Sequence, residues 1–258
     1  MSDIQAIRIP DLMSRRVLVT GGSTGIGAEI VRGFAAQGAK VALHYNESRE
    51  AALALQAEFP EHVFPVQGDM SDTGTPTKVV REAARMLGGL DGLINNAGGM
   101  LGRVPTTEVE PEHLDRVFAL NGKSVWEATV AAYPYLKASE NGFVVNTTSI
   151  AARNGGGGGA VLYAAAKSFV SSLTRGQAKE FVADGIRVNA VSPGLIQTPF
   201  HDRYTPPDVL AAQSATVPMG RVGRPDECVG AFLFLASNAM AGYITGQIIE
   251  VNGGQLMP

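Results

Sequence analysis

Cysteine is nearly absent: Cys228 is the only one in 258 residues, so no intrachain disulfide can form, which suits a reducing cytosol. Charge of one sign is also scarce. With 21 basic and 24 acidic residues the formal net charge is −3, so there is no basic surplus to draw nucleic acid or an anionic membrane. Long hydrophobic runs are missing too; Gly230-Ala231-Phe232-Leu233-Phe234-Leu235-Ala236 is far too short to span a bilayer. The start, Met1-Ser2-Asp3-Ile4-Gln5, lacks the charged-then-apolar plan of a signal peptide, and a cytoplasmic protein is expected. Without secretion, the glycosylation sequons Asn46-Glu47-Ser48 and Asn146-Thr147-Thr148 are accidents of sequence. No proline- or serine-rich linker divides the chain, and no metal site is expected. What remains is 45% hydrophobic and 17% charged, enough for one domain over residues 1–258 with a large core.

The most informative residues present are Tyr163 and Lys167, in Tyr163-Ala164-Ala165-Ala166-Lys167. On an α-helix this spacing puts both side chains on one face, one turn apart. A cation about 4 Å from a phenol, at an effective dielectric of about 20, contributes about 4 kcal/mol, or about three pKa units. A tyrosine would then move from about 10 to about 7 and exchange protons at neutral pH. Alone, such a pair more often marks surface residues on an alanine-rich helix.

Near the N-terminus, Arg16-Val17-Leu18-Val19-Thr20 reads as a short strand that runs into Gly21-Gly22-Ser23-Thr24-Gly25-Ile26-Gly27, after which a helical pattern opens. Glycines at such a junction permit a tight turn and close backbone approach to a diphosphate, and the helix N-terminus offers free N–H groups to the anion. The loop lacks the Gly-Lys-Ser/Thr ending of a nucleotide-triphosphate loop. Its alternative is a tight βα turn with no ligand.

Apolar, β-rich runs occur at Arg16–Thr20, Lys40–Tyr45, Val63–Gln67, Gly92–Asn95, Gly142–Thr148, Arg187–Ser192 and Gln247–Val251. Helical patterns lie between them, with start signals at Thr75-Pro76 and Glu110-Pro111. The alternation predicts an α/β fold: a single-domain, Rossmann-like, doubly wound parallel sheet of about seven strands with helices on both faces. Ligands in such sheets bind beyond the carboxyl ends of the strands. Gly21, Asp69, Asn95, Ser149 and Pro193 all fall at those ends.

These motifs resemble the short-chain dehydrogenase/reductase family from about Arg16 to Gly254. The pieces occur in family order: Thr20-Gly21 through Gly25-Ile26-Gly27, Asp69, Asn95-Asn96-Ala97-Gly98, Asn121, Ser149, Tyr163 with Lys167, Pro193-Gly194 and Thr198. The resemblance implies an NAD(P)-dependent oxidoreductase that interconverts a secondary alcohol and a ketone. Hydride transfer to a carbonyl leaves charge on oxygen, which needs a proton donor and a fixed hydrogen bond. Tyr163 is the expected general acid or base and Ser149 the group that holds the substrate oxygen. By resemblance, Lys167 also bonds the ribose hydroxyls, Asn121 keeps a water for proton relay, Asp69 accepts from the adenine amino group and Thr198 reaches the nicotinamide amide. The expected cofactor contacts are Thr20, Gly21, Ser23, Thr24, Gly25, Ile26, Gly27, Tyr45, Asn46, Asp69, Met70, Asn95, Ala97, Gly98, Tyr163, Lys167, Pro193, Gly194, Ile196 and Thr198.

The sequence departs from the family at one point. Ser149 and Tyr163 lie fourteen positions apart, one more than is common there, and Gly155-Gly156-Gly157-Gly158-Gly159 holds the excess. The run is read either as a backbone-lined floor for a polar substrate or as a flexible loop. At the end of the second strand, Tyr45 stands where an acidic residue would bond the ribose 2′-hydroxyl, and Arg49 follows, which favours NADP(H) over NAD(H). Against this, Thr24 occupies a loop position that is often basic in phosphate-preferring members. Residues 1–14 form an N-terminal extension and about 195–224 a substrate lid. Arg103, Arg153 and His201 are candidate contacts for an anionic or polyhydroxylated small molecule, and the surroundings are poor in aromatics for a steroid. A sugar, sugar acid or polyol is the first expectation and a 3-oxoacyl thioester the second; a catalytically weak regulatory protein is the alternative outside catalysis. Family members of this length are commonly homotetramers. The apolar Val229, Phe232, Leu233, Leu235 and Ala236 are expected to supply contact surface, unless they fill the core.

Overall fold

The computed structural model describes residues 7–199, 204 and 207–257. Seven strands form one parallel sheet: β1 Arg16–Val19, β2 Lys40–Tyr45, β3 Val63–Gln67, β4 Gly92–Asn95, β5 Phe143–Thr147, β6 Arg187–Pro193 and β7 Ile248–Val251. Their order is β3-β2-β1-β4-β5-β6-β7, so the connection reverses direction between β1 and β4. That reversal opens a crevice at the carboxyl ends of the central strands. The expected strands agree with these to within a residue at each end.

Helices cover both faces because the central strands bury side chains on both sides. On one face α1 (Gly25–Ala36) packs with α9 (Asp226–Ala236). Phe34 stacks on Phe143 there, with ring centroids 6.4 Å apart. On the other face lie α3 (Thr75–Leu87), α5 (Ser124–Lys137) and α7 (Val161–Phe181), over Leu18, Leu93, Val144 and Val188. The remaining helices include α2 (Arg49–Glu58), α4 (Pro111–Phe118), the short α6 (Ala151–Asn154) and α8 (Pro207–Ser214). Thr75 opens α3 and Pro111 opens α4, where proline's fixed φ suits the first turn.

Part of the N-terminal stretch is docked. Ile9 and Leu12 join the core beside α1, and Asp11 accepts from Ser237 Oγ and the Ala239 N–H. Val229, Phe232, Leu233, Leu235 and Ala236 are all buried in the subunit. The expectation that they offer surplus surface is therefore corrected: α9 lies between α1 and the strands and is wrapped on more than one side.

A buried polar network crosses the second face. Asn95 Nδ2 donates to Thr129 Oγ1 at 3.0 Å and to Asn146 Oδ1 at 2.9 Å, and Asn146 Nδ2 donates to Thr174 Oγ1 at 2.9 Å. Each amide is partnered, as burial demands, and together they lock α5 and α7 to β4 and β5.

Candidate active site

A cleft of about 760 Å³ runs along the carboxyl ends of the strands, lined from the glycine loop through Tyr45, Asp69 and Ser149 to Thr198. At one end β1 stops at Val19, the chain turns through Gly21 at φ 61°, and α1 opens on Gly25 at φ 55°. A Cβ on Gly21 would lie 2.9 Å from Ala97 Cα, and one on Gly27 would lie 2.0 Å from the Gly21 carbonyl oxygen. Both positions exclude any side chain, so the loop lies flat against β4's end and leaves the α1 N-terminus open to the cleft.

This cradle fits a dinucleotide diphosphate: Ser23, Thr24, Gly25, Ile26 and Gly27 all line it. Tyr45, Asn46, Glu47 and Ser48 line the cleft beyond β2, and Asp69 and Met70 line it beyond β3. The Ser71 hydroxyl and N–H both donate to Asp69 Oδ1, at 2.7 and 2.9 Å, and hold its carboxyl below the usual range. Ala97, Gly98, Pro193, Gly194, Ile196 and Thr198 complete the walls, with Thr198 beside Gly25.

Thr20 and Asn95 are placed differently from expectation: both lie behind the wall rather than on it. The Thr20 hydroxyl accepts the Asn96 and Ala97 N–H groups at 2.9 and 3.0 Å and so shapes the turn after β4. Asn95 is spent in the network beneath the sheet.

At the other end α7 presents Tyr163 and Lys167 on one face, next to Ser149 at the end of β5. Lys167 is 3% exposed, and its Nζ donates to the Thr147 carbonyl at 2.9 Å. That nitrogen sits over the Tyr163 ring, 5.7 Å from its centroid. Burial pushes the Tyr163 phenol up to about 12, against the pull of a hydrogen bond with Ser149, and pushes Lys167 down to about 8. The expected fall of the phenol toward neutrality is thus not what this arrangement produces. The ammonium addresses the ring face and a backbone carbonyl, and desolvation dominates both groups.

Asn121 sits in a π-helical turn, Ala119–Lys123, between α4 and α5. It is fully buried; Oδ1 accepts the Gly99 N–H at 3.0 Å, while Nδ2 donates to the Gly99 and Val117 carbonyls. A Cβ on Gly98 would lie 2.8 Å from Asn121 Oδ1 and 3.2 Å from Lys167 Nζ. That glycine, which lines the cleft with Lys167, lets Asn121 come close from behind the wall.

Of the expected substrate contacts, Arg103 lines the cleft; its Nε donates to the Tyr204 carbonyl at 2.6 Å and Nη1 to the Gly158 carbonyl at 2.9 Å. Arg153 points away and pairs with Glu250 at 3.1 Å. His201 lies outside the described residues. The glycine run is seated: Gly155, Gly156 and Gly159 have φ of 79°, 76° and 72°, and the Gly159 carbonyl accepts the Val104 N–H. A Cβ on Gly159 would lie 2.9 Å from the Arg103 backbone, so the extra residue forms a docked wall. Tyr204 and Gln213, from the segment expected as a lid, also line this end; Asn154 and Gln255 line it too and carried no sequence signal, because distant segments bring them together. His44 lines the cleft too and went unread inside an apolar strand.

A family model described as enoyl-(acyl carrier protein) reductase matches residues 21–255. A 3alpha-hydroxysteroid dehydrogenase of Mediterraneibacter gnavus is 35% identical, over 94% of this chain and 97% of that protein. A 3-oxoacyl-(acyl-carrier-protein) reductase of Thermotoga maritima is also 35% identical, over 92% and 96%. Among solved structures, an NADH-dependent reductase complexed with NAD is 37% identical with a TM-score of 0.86, covering 97% of this chain and all of that one.

Proposed function

The chain belongs to the short-chain dehydrogenase/reductase family of NAD(P)-dependent oxidoreductases, and on that premise we propose that it interconverts a secondary alcohol and a ketone on a sugar, sugar acid or polyol. The observation that carries the substrate class is the wall around Ser149 and Tyr163. Among the described residues it combines glycine backbone, Asn154, Arg103, Gln213 and Gln255 with the aliphatic Met100, Leu101, Ile150 and Leu195, and Tyr163 and Tyr204 are its aromatic rings. Such a wall offers hydrogen bonds to hydroxyls and a cation to a carboxylate beside a few aliphatic side chains, and few aromatic faces for a steroid to lie on.

When bound along the cleft, the nicotinamide cofactor supplies or accepts the hydride. The residues do the rest. Ser149 and Tyr163 donate to the substrate oxygen, and Tyr163 passes the proton at its Oη. A phenol raised to about 12 keeps that proton at neutral pH, which makes it ready to donate in the reductive direction. Lys167, held by the Thr147 carbonyl, positions the phenol and takes the ribose hydroxyls.

At the β2 end, Tyr45 carries no carboxylate, which leaves room for a 2′-phosphate and favours NADP(H). One observation favours NAD(H): Glu47 lines the cleft there and Arg49 does not. The NADH-dependent neighbour points the same way. Fluorescence titration separates the two. If Tyr45 governs, NADPH binds tighter and Tyr45→Asp narrows or reverses the gap; if Glu47 governs, NADH binds tighter and Glu47→Gln narrows it.

The enzyme is proposed to be cytoplasmic and homotetrameric. No described helix is long and apolar enough to cross a membrane. A 3-oxoacyl thioester is the second substrate reading, favoured by the family model and the Thermotoga relative. A panel of sugar-derived ketones, uronates, polyols and 3-oxoacyl thioesters, followed by nicotinamide absorbance with both cofactors, tests the assignment. Turnover of the sugar class is expected. Turnover of thioesters alone would overturn the substrate class, and none with any carbonyl would favour a regulatory role.

A further inference from the structure

Among the described residues His44 is the one imidazole in the cleft wall, and the chemistry above gives it no part. Alternation along β2 turns Val41, Leu43 and Tyr45 to one face of the sheet and places His44 on the other, with Ala42. There it is 2% exposed, packed near the Gly68, Thr75 and Val79 positions. A buried polar side chain in an apolar strand needs partners, and His44 has two. The Gly21 N–H donates to Nδ1 at 3.0 Å, and Nε2 lies 2.9 Å from the Gly68 carbonyl. An amide only donates, so Nδ1 is bare and Nε2 carries the hydrogen that Gly68 accepts. Burial holds the imidazole below its ordinary range and keeps this neutral form. The His44 backbone carbonyl also accepts the Gly22 N–H, at 2.8 Å. One residue therefore takes the first two amides of the glycine loop, one on its ring and one on its backbone.

We infer that His44 is a positioning residue for the dinucleotide, fixing the first turn of the glycine loop so that the α1 N-terminus faces the diphosphate. The inference rests on the cofactor reading above. Gly21 and Gly22 spend their N–H groups on β2, so the anion is left to donors further along the loop. Their aim depends on where Gly21 is held. Anchoring Nε2 to Gly68 ties that position to the end of β3, where Asp69 and Met70 line the cleft.

The two ring nitrogens can be tested apart, because Asn places an acceptor near the Nδ1 position and Gln places a donor near the Nε2 position. His44→Asn keeps the link to Gly21; His44→Gln keeps only the link to Gly68; His44→Leu keeps neither. Loss of the Gly21 bond is expected to weaken binding of NADH or NADPH about tenfold in the Gln and Leu variants, with a smaller change in kcat at saturating cofactor. The Asn variant should stay within about threefold of wild type. Amide hydrogen exchange over residues 20–25, read without cofactor, should quicken in the Gln and Leu variants and not in the Asn variant. Equal behaviour of the Asn and Gln variants in both measurements overturns the inference, as does a loss confined to kcat. If the wild-type protein binds neither cofactor, the proposed function fails, and the exchange pattern still decides whether His44 holds the loop. Should the Leu variant fail to fold, the Asn–Gln contrast stands alone.

Discussion

Replacing Tyr163 with Phe removes one oxygen from the cleft wall and leaves the helix and the glycine loop as they are. Cofactor binding should survive while turnover falls by about 10²–10⁴-fold, the usual worth of a positioned proton donor. Turnover within tenfold of wild type on an established substrate would end the mechanism. Lys167 makes a different prediction, about stability. Unfolded, it keeps its proton to 10.5; folded, it releases it at about 8. Between these values the unfolded chain binds more protons, so stability rises with pH across that window and is lowest below it. From about pH 7.5 to about pH 9.5 the wild type should gain about 2 kcal/mol over Lys167→Met in denaturant melts. Equal slopes in the two proteins would refute it. The helical spacing of Tyr163 and Lys167 was legible because it depends only on local geometry. The raised phenol was not, because desolvation is set by what the fold packs around it. His44 was illegible for a similar reason: its partners are a loop and a strand end that only the sheet brings together.

The strands were read nearly residue for residue, since β-branched runs bounded by glycine and proline leave little choice between strand and helix. The π-helical turn at Ala119–Lys123 was not, because its residues continue the apolar pattern of α4 and α5. Nor was the docking of the glycine run, which depends on the Arg103 segment some fifty residues earlier. Packing between elements yields its own prediction at the contact of α1 with α9. A Cβ on Gly33 would lie 2.5 Å from Val229 Cγ1. Alanine is the better helix former by about 1 kcal/mol, yet overpacking costs about 1–3 kcal/mol, so Gly33→Ala should be net destabilising. Val229→Ala alone should also destabilise, by removing buried methyls. Combined, the two changes should cost less than their sum, since the new methyl enters the space the valine left. Strict additivity in a double-mutant cycle would mean that the helices slide apart instead.

At the scale of the whole molecule, burial of the α9 side chains removes one argument for a tetramer and leaves another. Leu114, Phe118, Trp126 and Val130 are all exposed large apolar residues, and with Gly122 they recur every four positions along α4, the π turn and α5. Trp126 is 47% exposed, and Val161 at the start of α7 is 48% exposed. At the far edge of the sheet all four residues of β7 are half-buried, and Tyr243 stands fully in solvent. A four-residue stripe leaves a helix face apolar along its length, which a soluble monomer rarely tolerates. Two such surfaces on separate sides of one subunit suit two symmetry axes, and closing both makes a tetramer of two-fold contacts. Light scattering at micromolar concentration should therefore give about four times the 27.0 kDa chain mass. Trp126→Glu with Val130→Glu places two carboxylates on the stripe and touches neither the cleft nor β7. That variant should halve the particle while the second contact holds. A wild-type particle of 27.0 kDa would refute the assembly, and an unchanged tetramer in the double variant would move the contact off α5.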